Sequence, residues 1–171
     1  MWHTIRFFKF MFMKKVAVLF IFAMLPCLPI TSYAQKTSHK KEQPSAPVTE
    51  QIFQLVNKHR QKAGLKPLQQ NDILAKVAEG HSRNMASGSV PFSHDGFEER
   101  VAKIGKQIKN TTNSAENVAY SSGDAASVVE MWLKSKGHRK NIEGNYTISG
   151  IGTAKAADGT MYYTQIFIKS K

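Results

Sequence analysis

The stretch TISGIGTAKAADGTMYYTQIFIKS, residues 147–170, carries most of the information about the fold. It contains two β-rich runs, TISGIGTAKA and TMYYTQIFIKS, which the tripeptide ADG joins. An Asp-Gly turn between two such runs is a strong signal for an antiparallel hairpin. We therefore predict a two-stranded hairpin over this stretch.

Three long stretches ahead of the hairpin repeat apolar residues at helical spacing. Each begins next to a residue type that commonly caps the N-terminus of a helix. Gly64 and Gly88 follow the first two stretches, where a glycine commonly ends a helix. The predicted N-caps are Thr49, Asn71 or Asp72, and Asp124.

Two shorter elements lie between these helices. The segment FEERVAKIG, residues 97–105, predicts a short amphipathic helix. The segment ENVAY, residues 116–120, predicts a short strand with Val118 and Tyr120 on one face. Helices first and an antiparallel hairpin last favour an α+β domain in which helices cover a small sheet.

Residues 1–34 have the composition of a secretory signal peptide. A basic segment without acids is followed by an apolar run of roughly 15 residues and then by the small residues Ser32 and Ala34. We predict cleavage after Ala34, with the start of translation at Met1 or Met13. The run is shorter than the roughly 20 residues of a spanning helix, and Pro26 and Pro29 interrupt it, which disfavours a membrane span. An uncleaved membrane anchor and lipidation at Cys27 are the less favoured alternatives.

The residues after the predicted cleavage point divide into two parts. Residues 35–47 are polar and contain prolines, which predicts a flexible linker. The folded domain is expected over residues 48–171. We predict that this domain is secreted or exported, to the periplasm, the cell surface or the extracellular medium.

The cysteine count and the charge set limits on the exported domain. Cys27 is the single cysteine of the chain and lies in the predicted signal peptide, so the mature domain is expected to be free of disulfides. Loss of four basic and no acidic residues lowers the net charge from +12 to +8. A basic domain at a cell surface favours anionic polysaccharides or lipid headgroups as partners, and solubility is the alternative role of this charge. The sequence has no patch in which basic and aromatic residues are interleaved, so it gives no indication of nucleic-acid binding.

Four histidines of the predicted domain differ in their sequence context. His59 and His81 lie within helical apolar stripes, which predicts partial burial at the edge of the core. His94, in FSHDGF, lies in a predicted loop, and His138, in SKGHRKNI, lies at or beyond a predicted helix end. Site residues are common in both kinds of position. A structural role for His138 as a charge at a helix C-terminus stays open.

The acidic candidates near these histidines are Glu116, at the start of ENVAY, and Asp95. Glu130 is expected to face solvent on the third long helix. The chain lacks H-E-x-x-H, G-x-S-x-G and a phosphate-binding glycine loop, and no cysteine nucleophile is present in the mature chain. From the residues alone, the candidate site consists of two loop histidines and one strand glutamate. This set supports only a weak hypothesis of metal binding.

Five segments occur in a characteristic order: FSHDGF, AENVAY, MWLKSKGHRKNI, YTISGIG and YYTQIF. In this order they resemble the CAP superfamily, which includes cysteine-rich secretory proteins, venom allergens and class 1 pathogenesis-related proteins. The resemblance covers residues 48–171 and fits the bacterial exported branch, since the disulfides of eukaryotic members are absent.

The resemblance implies an α-β-α sandwich with a central antiparallel sheet and an open cleft. It implies that two histidines and two acids line the cleft, and His94, His138 and Glu116 match three of these positions. Ser135 stands where many relatives carry the second acid. This departure predicts weaker affinity for a divalent cation.

Three functions follow from these expectations. The first is a non-catalytic module that binds a lipid, glycan or peptide in a cleft formed by His94, Glu116, Ser135 and His138. The second is a hydrolase in which zinc on His94 and His138 activates water and Glu116 is the base. The third is a surface-interaction domain whose histidines only order the cleft. We assign no catalytic residue outside the second alternative, and we treat weakly bound zinc as the candidate cofactor.

Overall fold

The computed structural model describes residues 46–171, which form five helices and four strands. The predicted signal peptide, Cys27 and most of the predicted linker lie outside the described residues. Among the described helices, none combines the length and the apolar character that a bilayer crossing requires. The elements are α1 Val48–Lys62, β1 Gln69–Gln70, α2 Asp72–Ala86, α3 Phe97–Gly105, β2 Thr111–Ser121, α4 Ala125–Lys134, α5 Lys136–Ile142, β3 Ile148–Lys155 and β4 Met161–Ser170.

The predicted hairpin is confirmed as β3 and β4, which pair in antiparallel register from Ile148 with Ile168 to Lys155 with Met161. Gly159 takes a left-handed conformation in the turn, with φ of 92°. The strands lie in the order β1-β3-β4-β2, and β2 also pairs antiparallel to β4. β1 pairs parallel to β3, so the sheet is mixed rather than purely antiparallel. β1 has only two residues, too few to show a strand pattern in the sequence.

Helices cover both faces of this sheet, which confirms the predicted α+β sandwich. On one face α1, α4 and α5 enclose a core that includes Ile52, Trp132 and Phe167. On the other face α2 and α3 enclose a smaller core that includes Leu74 and Ile104. Alternate residues of β4 enter the two cores, as the two-residue period of a strand requires.

Two glycines of β3 allow α2 to lie directly on the sheet. A Cβ atom at Gly150 would come within 2.3 Å of the Ala75 backbone nitrogen. A Cβ atom at Gly152 would come within 1.9 Å of the Glu79 backbone nitrogen. The two glycines of the SGIG segment therefore allow α2 to approach the sheet closely.

Two of the predicted helix caps are confirmed, and one is wrong. The Asn71 side chain accepts hydrogen bonds from the backbone amides of Ile73 and Leu74, and Asp124 accepts from Ser127. Thr49 is not the N-cap of α1, because the helix already begins at Val48. Pro47 supplies the first carbonyl acceptor, and its fixed φ suits the start of a helix.

Two further predictions need correction. The strand predicted over residues 116–120 extends over Thr111–Ser121, because β4 supplies backbone partners along the whole of that length. His138 lies beyond the end of α4, as predicted, but it is not a loop residue. The chain breaks at Ser135, which has an extended conformation, and His138 lies within the separate helix α5.

Candidate functional site

The carboxylate of Glu116 lies at the centre of the candidate site. Glu116 belongs to β2, and its side chain is 1% exposed. Arg100 donates to both carboxylate oxygens, from Nη2 to Oε1 at 2.7 Å and from Nε to Oε2 at 2.9 Å. His94 Nδ1 lies 3.0 Å from Oε1 and donates to it, since a carboxylate only accepts. The carboxylate is therefore bound on both oxygens by protein groups.

The loop before α3 holds His94 in this position. Gly96 takes a left-handed conformation, with φ of 74°, and the Phe97 amide donates back to the carbonyl of His94. Arg100 Nη1 donates to the carbonyl of Asp95 at 2.8 Å, so the same guanidinium binds the loop and Glu116. Because Nδ1 of His94 donates to Glu116, the neutral ring carries its lone pair on Nε2. The side chain of His94 is 50% exposed.

Helix α5 brings His138 to the other side of β2. Asn117 Nδ2 donates to the carbonyl of His138, and Asn141 Nδ2 donates to the carbonyl of Glu116 and to Asn117 Oδ1. These bonds fasten α5 to the edge of the sheet. The ring centroids of His94 and His138 lie 6.4 Å apart.

His138 is a neutral imidazole beside His94. Burial lowers the pKa of His138 below its usual value, and the positive charge that His94 can carry lowers it further. Its Nδ1 atom is buried without a hydrogen-bond partner among the described residues. The site thus presents two adjacent imidazoles, His94 held by Glu116 and His138 held through the bonds of α5 to β2.

Ser135 lies at the junction of α4 and α5. Its amide donates to Met131 and Trp132, and its carbonyl accepts from the amide of Arg139. Its hydroxyl caps neither helix and forms no hydrogen bond with the described residues. The structure therefore places Ser135 one turn before His138 but records no bond from its side chain to the site.

The other candidates of the sequence have different surroundings. Asp95 contributes its backbone carbonyl, not its carboxylate, to the loop. His59 Nε2 contacts Glu143 Oε1 at 2.8 Å and links α1 to the residue after α5. Glu130 is exposed and pairs with Lys134, as its predicted solvent-facing position requires.

The sequence did not reveal two residues of the site, Arg100 and His81. His81 is 4% exposed, and its Nε2 donates to the carbonyl of Ser93 at 3.0 Å and lies 4.0 Å from Glu116 Oε1. Burial lowers the pKa of His81, and the charge of Arg100 lowers it further. Arg100 shares the inward stripe of α3 with Ile104, and a cation in such a stripe signals a buried acid elsewhere.

An exposed aromatic patch extends from the same loop and strand. We define it as Phe92, Tyr120 and Tyr162. The rings of Phe92 and Tyr120 meet edge to face with centroids 4.9 Å apart, and those of Tyr120 and Tyr162 lie 6.0 Å apart. Phe92 is 45% exposed and Tyr120 is 56% exposed. Because Tyr120 and Glu116 lie on the same face of β2, the patch and the Glu116 cluster share one side of the sheet.

The number of available ligand side chains limits the kind of metal site that can form here. No group of three or more metal-binding side chains comes together within residues 46–171. Catalytic zinc is usually held by three protein ligands and structural zinc by four. His94 and His138 offer two imidazoles, and Glu116 is occupied by Arg100. The residues therefore do not supply a closed or catalytic zinc site, and weak binding by two histidines stays a prediction.

Comparison with known proteins identifies the family. The sequence profile of the cysteine-rich secretory protein family, CAP, matches residues 53–167. The chain belongs to this family. It is a CAP-domain protein, in agreement with the resemblance found in its sequence.

Two curated relatives come from Bacillus subtilis. The chain is 36% identical over 124 residues to the uncharacterized membrane protein YlbC, covering 70% of this chain and 34% of that protein. It is 32% identical over 143 residues to the uncharacterized protein YkwD, covering 79% of this chain and 53% of that protein. The CAP-domain protein thus spans about a third and about half of the length of these two relatives.

Solved structures of bacterial proteins share the fold. An extracellular protein containing an SCP domain from Bacillus anthracis is 32% identical, with a TM-score of 0.60 over 75% of this chain and 45% of that chain. A cysteine-rich secretory protein from Staphylococcus aureus is 25% identical, with a TM-score of 0.59 over 72% of this chain and 39% of that chain. An outer surface protein from Borrelia burgdorferi is 20% identical and shares the fold, with a TM-score of 0.63 over 72% of this chain and 93% of that chain.

Proposed function

We propose that this CAP-domain protein is an exported module that binds a ligand beside His94, Glu116, Ser135 and His138 without catalysing a reaction. The bonding of Glu116 is the observation that carries the proposal. A general base must accept a proton from substrate or water, but both Glu116 oxygens accept from Arg100 and His94 and the side chain is 1% exposed. Glu116 therefore acts as the frame that positions His94.

The surface around this frame is suited to a ligand with flat apolar faces and polar groups. The aromatic patch offers exposed ring area, and aromatic rings contribute large contact area with little conformational entropy loss. His94, two residues after Phe92 in the same loop, adds a polar group at Nε2, and the neutral ring of His138 lies 6.4 Å from the His94 ring between centroids. Of the lipid, glycan and peptide classes, this combination favours a glycan or a peptide with aromatic side chains over an acyl chain.

Export is supported by the sequence and by the relatives. Residues 1–34 have the composition of a signal peptide. Among the structural relatives, one is an extracellular protein, one a secretory protein and one an outer surface protein. Amino-terminal sequencing of the protein recovered from culture medium and from the cell envelope would test cleavage after Ala34. Recovery of the uncut chain from the membrane would favour an anchor instead.

Ligand capture followed by native mass spectrometry tests the binding function. The wild-type domain and two variants, His94→Ala/Tyr120→Ala and His59→Ala, would be incubated with an extract of cell-envelope glycans and peptides. We expect one adduct mass to recur on the wild type and on His59→Ala and to disappear from the double variant. If the double variant loses none of the adducts that the wild type forms, a ligand site beside His94 is contradicted.

The hydrolase alternative has no supporting observation among the described residues. The base that it requires is occupied, and the two imidazoles do not form a three-ligand metal site. The surface-interaction alternative remains compatible with the aromatic patch. It differs from the proposal in that it requires no contact between the imidazoles and the partner.

A further inference from the structure

A cavity lies away from the His94 cluster, at the end of the sheet where β1, β3 and β4 meet. Its volume is about 710 Å³, and it shares no lining residue with the proposed ligand site. Sites for small organic ligands typically have volumes of about 300–1,000 Å³, so this cavity is large enough for more than a single ion. Its walls are the loop after α1, the segment between α5 and β3 and the last residues of β4.

A buried cation forms part of this cavity. Arg60 is 2% exposed and donates only to backbone carbonyls, from Nε to Lys66 at 3.0 Å and from Nη1 to Ile142 at 2.6 Å and Gly144 at 2.8 Å. Within residues 46–171 it forms no ion pair with a carboxylate. Burial lowers the pKa of Arg60, which reflects the cost of removing its charge from water. Carbonyl groups rather than a carboxylate surround this charge, so Arg60 adds to the positive potential of the cavity.

Most of the remaining charged side chains in the wall are lysines. Lys66, Lys169 and Lys171 line the cavity together with Arg60, and Glu143 is the acidic side chain in the lining. The Glu143 carboxylate is already in contact with His59 at 2.8 Å. The potential inside the cavity is therefore positive, and it attracts ligands with more than one negative charge.

The uncharged part of the wall favours a sugar over a simple anion. The exposed amide of Gln69 forms no hydrogen bond with the described residues and can bind hydroxyl groups. Tyr146 adds an aromatic wall, and its ring packs on Phe167 with centroids 5.5 Å apart. Because Arg60 binds the carbonyls of both loops, the two walls are held at a fixed separation before any ligand arrives.

We propose that this Arg60 cavity binds an anionic glycan, meaning a sugar chain that bears carboxylate or phosphate groups. The charged groups of the glycan contact the lysines, and its hydroxyl groups contact Gln69 and neighbouring polar side chains. The proposal is independent of the His94 site. It assigns the domain a second contact with the anionic components of a cell surface.

Isothermal titration calorimetry with an oligomer of galacturonic acid tests this proposal on the folded domain. The variant Lys66→Gln/Lys169→Gln removes two charges from the wall, and Lys106→Gln/Lys155→Gln removes two exposed charges elsewhere. We expect the first variant to weaken binding about tenfold, because exposed charge contacts each contribute a modest factor, and the second to leave it nearly unchanged. Circular dichroism melting checks that both variants are folded.

Parallel titrations with other ligands show which kind of anionic molecule binds. A neutral glucose oligomer of the same length, inorganic phosphate and phosphatidylglycerol vesicles are titrated in parallel. Binding of the galacturonate oligomer that depends on Lys66 and Lys169 supports the proposal. No binding, equal weakening in both lysine variants, or lysine-dependent binding of the vesicles alone would overturn it, and so would equal affinity for the neutral oligomer.

Discussion

Arg100 holds Glu116 by two hydrogen bonds, one to each carboxylate oxygen, at 2.7 and 2.9 Å. The acid lies on β2 and the base on α3, so this pair fastens a helix of one layer to the edge strand of the sheet. The same guanidinium binds the loop that carries His94. The pair therefore fixes the imidazole as well as the fold.

Replacement of Arg100 by Met should strongly destabilise the domain. Removal of one partner from a buried ion pair leaves the other charge uncompensated, which costs about 3–5 kcal/mol in the free energy of unfolding. Urea denaturation followed by circular dichroism measures this loss. Arg83→Met is the matched control, because Arg83 pairs with Glu79 on the exposed surface of α2 and should lose no more than about 1 kcal/mol.

Equal losses in the two variants would contradict the assignment of Arg100 to the frame of the site. A second check uses the His94 side chain. Its Nδ1 proton, which bonds to Glu116 in the wild type, should give a nuclear magnetic resonance signal protected from solvent exchange. That signal should broaden or vanish when the carboxylate loses its fixed position in Arg100→Met.

The sequence was sufficient for the elements that depend on local chemistry. The Asp-Gly turn between residues 147–156 and 160–170 predicted the hairpin, and the side chains of Asn71 and Asp124 cap the helices that they were expected to cap. Each of these features depends on residues within a few positions of one another. The α+β class followed from their order along the chain.

The features that the sequence did not predict depend on distant partners. β2 extends to Thr111 because β4 lies beside it, although residues 111–114 show no apolar alternation. The role of His81 depends on Ser93 and Glu116, which are far along the chain, while its own surroundings in the sequence are those of a core residue. The role of Arg100 depends on Glu116, which is 16 residues away along the chain.

Replacement of Glu116 by Gln separates a structural role from a catalytic one. The uncharged amide has one acceptor oxygen, so the pairing with Arg100 and His94 is weakened, and we expect a loss of about 1–3 kcal/mol in the free energy of unfolding. In assays against peptide and ester panels, we expect no turnover above background from either the wild type or the variant. Turnover by the wild type that Glu116→Gln abolishes while the domain remains folded would favour the hydrolase.

Zinc titration tests the predicted pair of metal ligands. Calorimetry on the wild-type domain should give a zinc-binding free energy smaller than that of structural zinc sites, which is about 10–16 kcal/mol. Two imidazoles leave at least half of a tetrahedral coordination shell to water. The heat should disappear in His94→Ala/His138→Ala and persist in His59→Ala. Identical heats in the wild type and the double variant would remove zinc from this pair.

The pKa of His81 predicts a dependence of stability on pH. Because burial and Arg100 lower this pKa below 6.5, the unfolded chain binds more protons than the folded domain just below pH 6.5. The free energy of unfolding should therefore be greatest above about pH 6.5 and should fall as the pH decreases from there toward the pKa of the folded state. The groups facing His81 are Arg100 and His94, which oppose its protonation, and Glu116, which favours it.

Urea denaturation at pH 7.5 and pH 5.5 would measure this dependence in the wild type, His81→Gln and the control His59→Gln. We expect the difference between the two pH values to shrink in His81→Gln, since the titrating group is gone, and to persist in His59→Gln. Part of the difference should remain in His81→Gln, because burial also lowers the pKa of His138 and acts in the same direction. An unchanged difference in His81→Gln would mean that His81 keeps its ordinary pKa despite its burial and the nearby charge of Arg100.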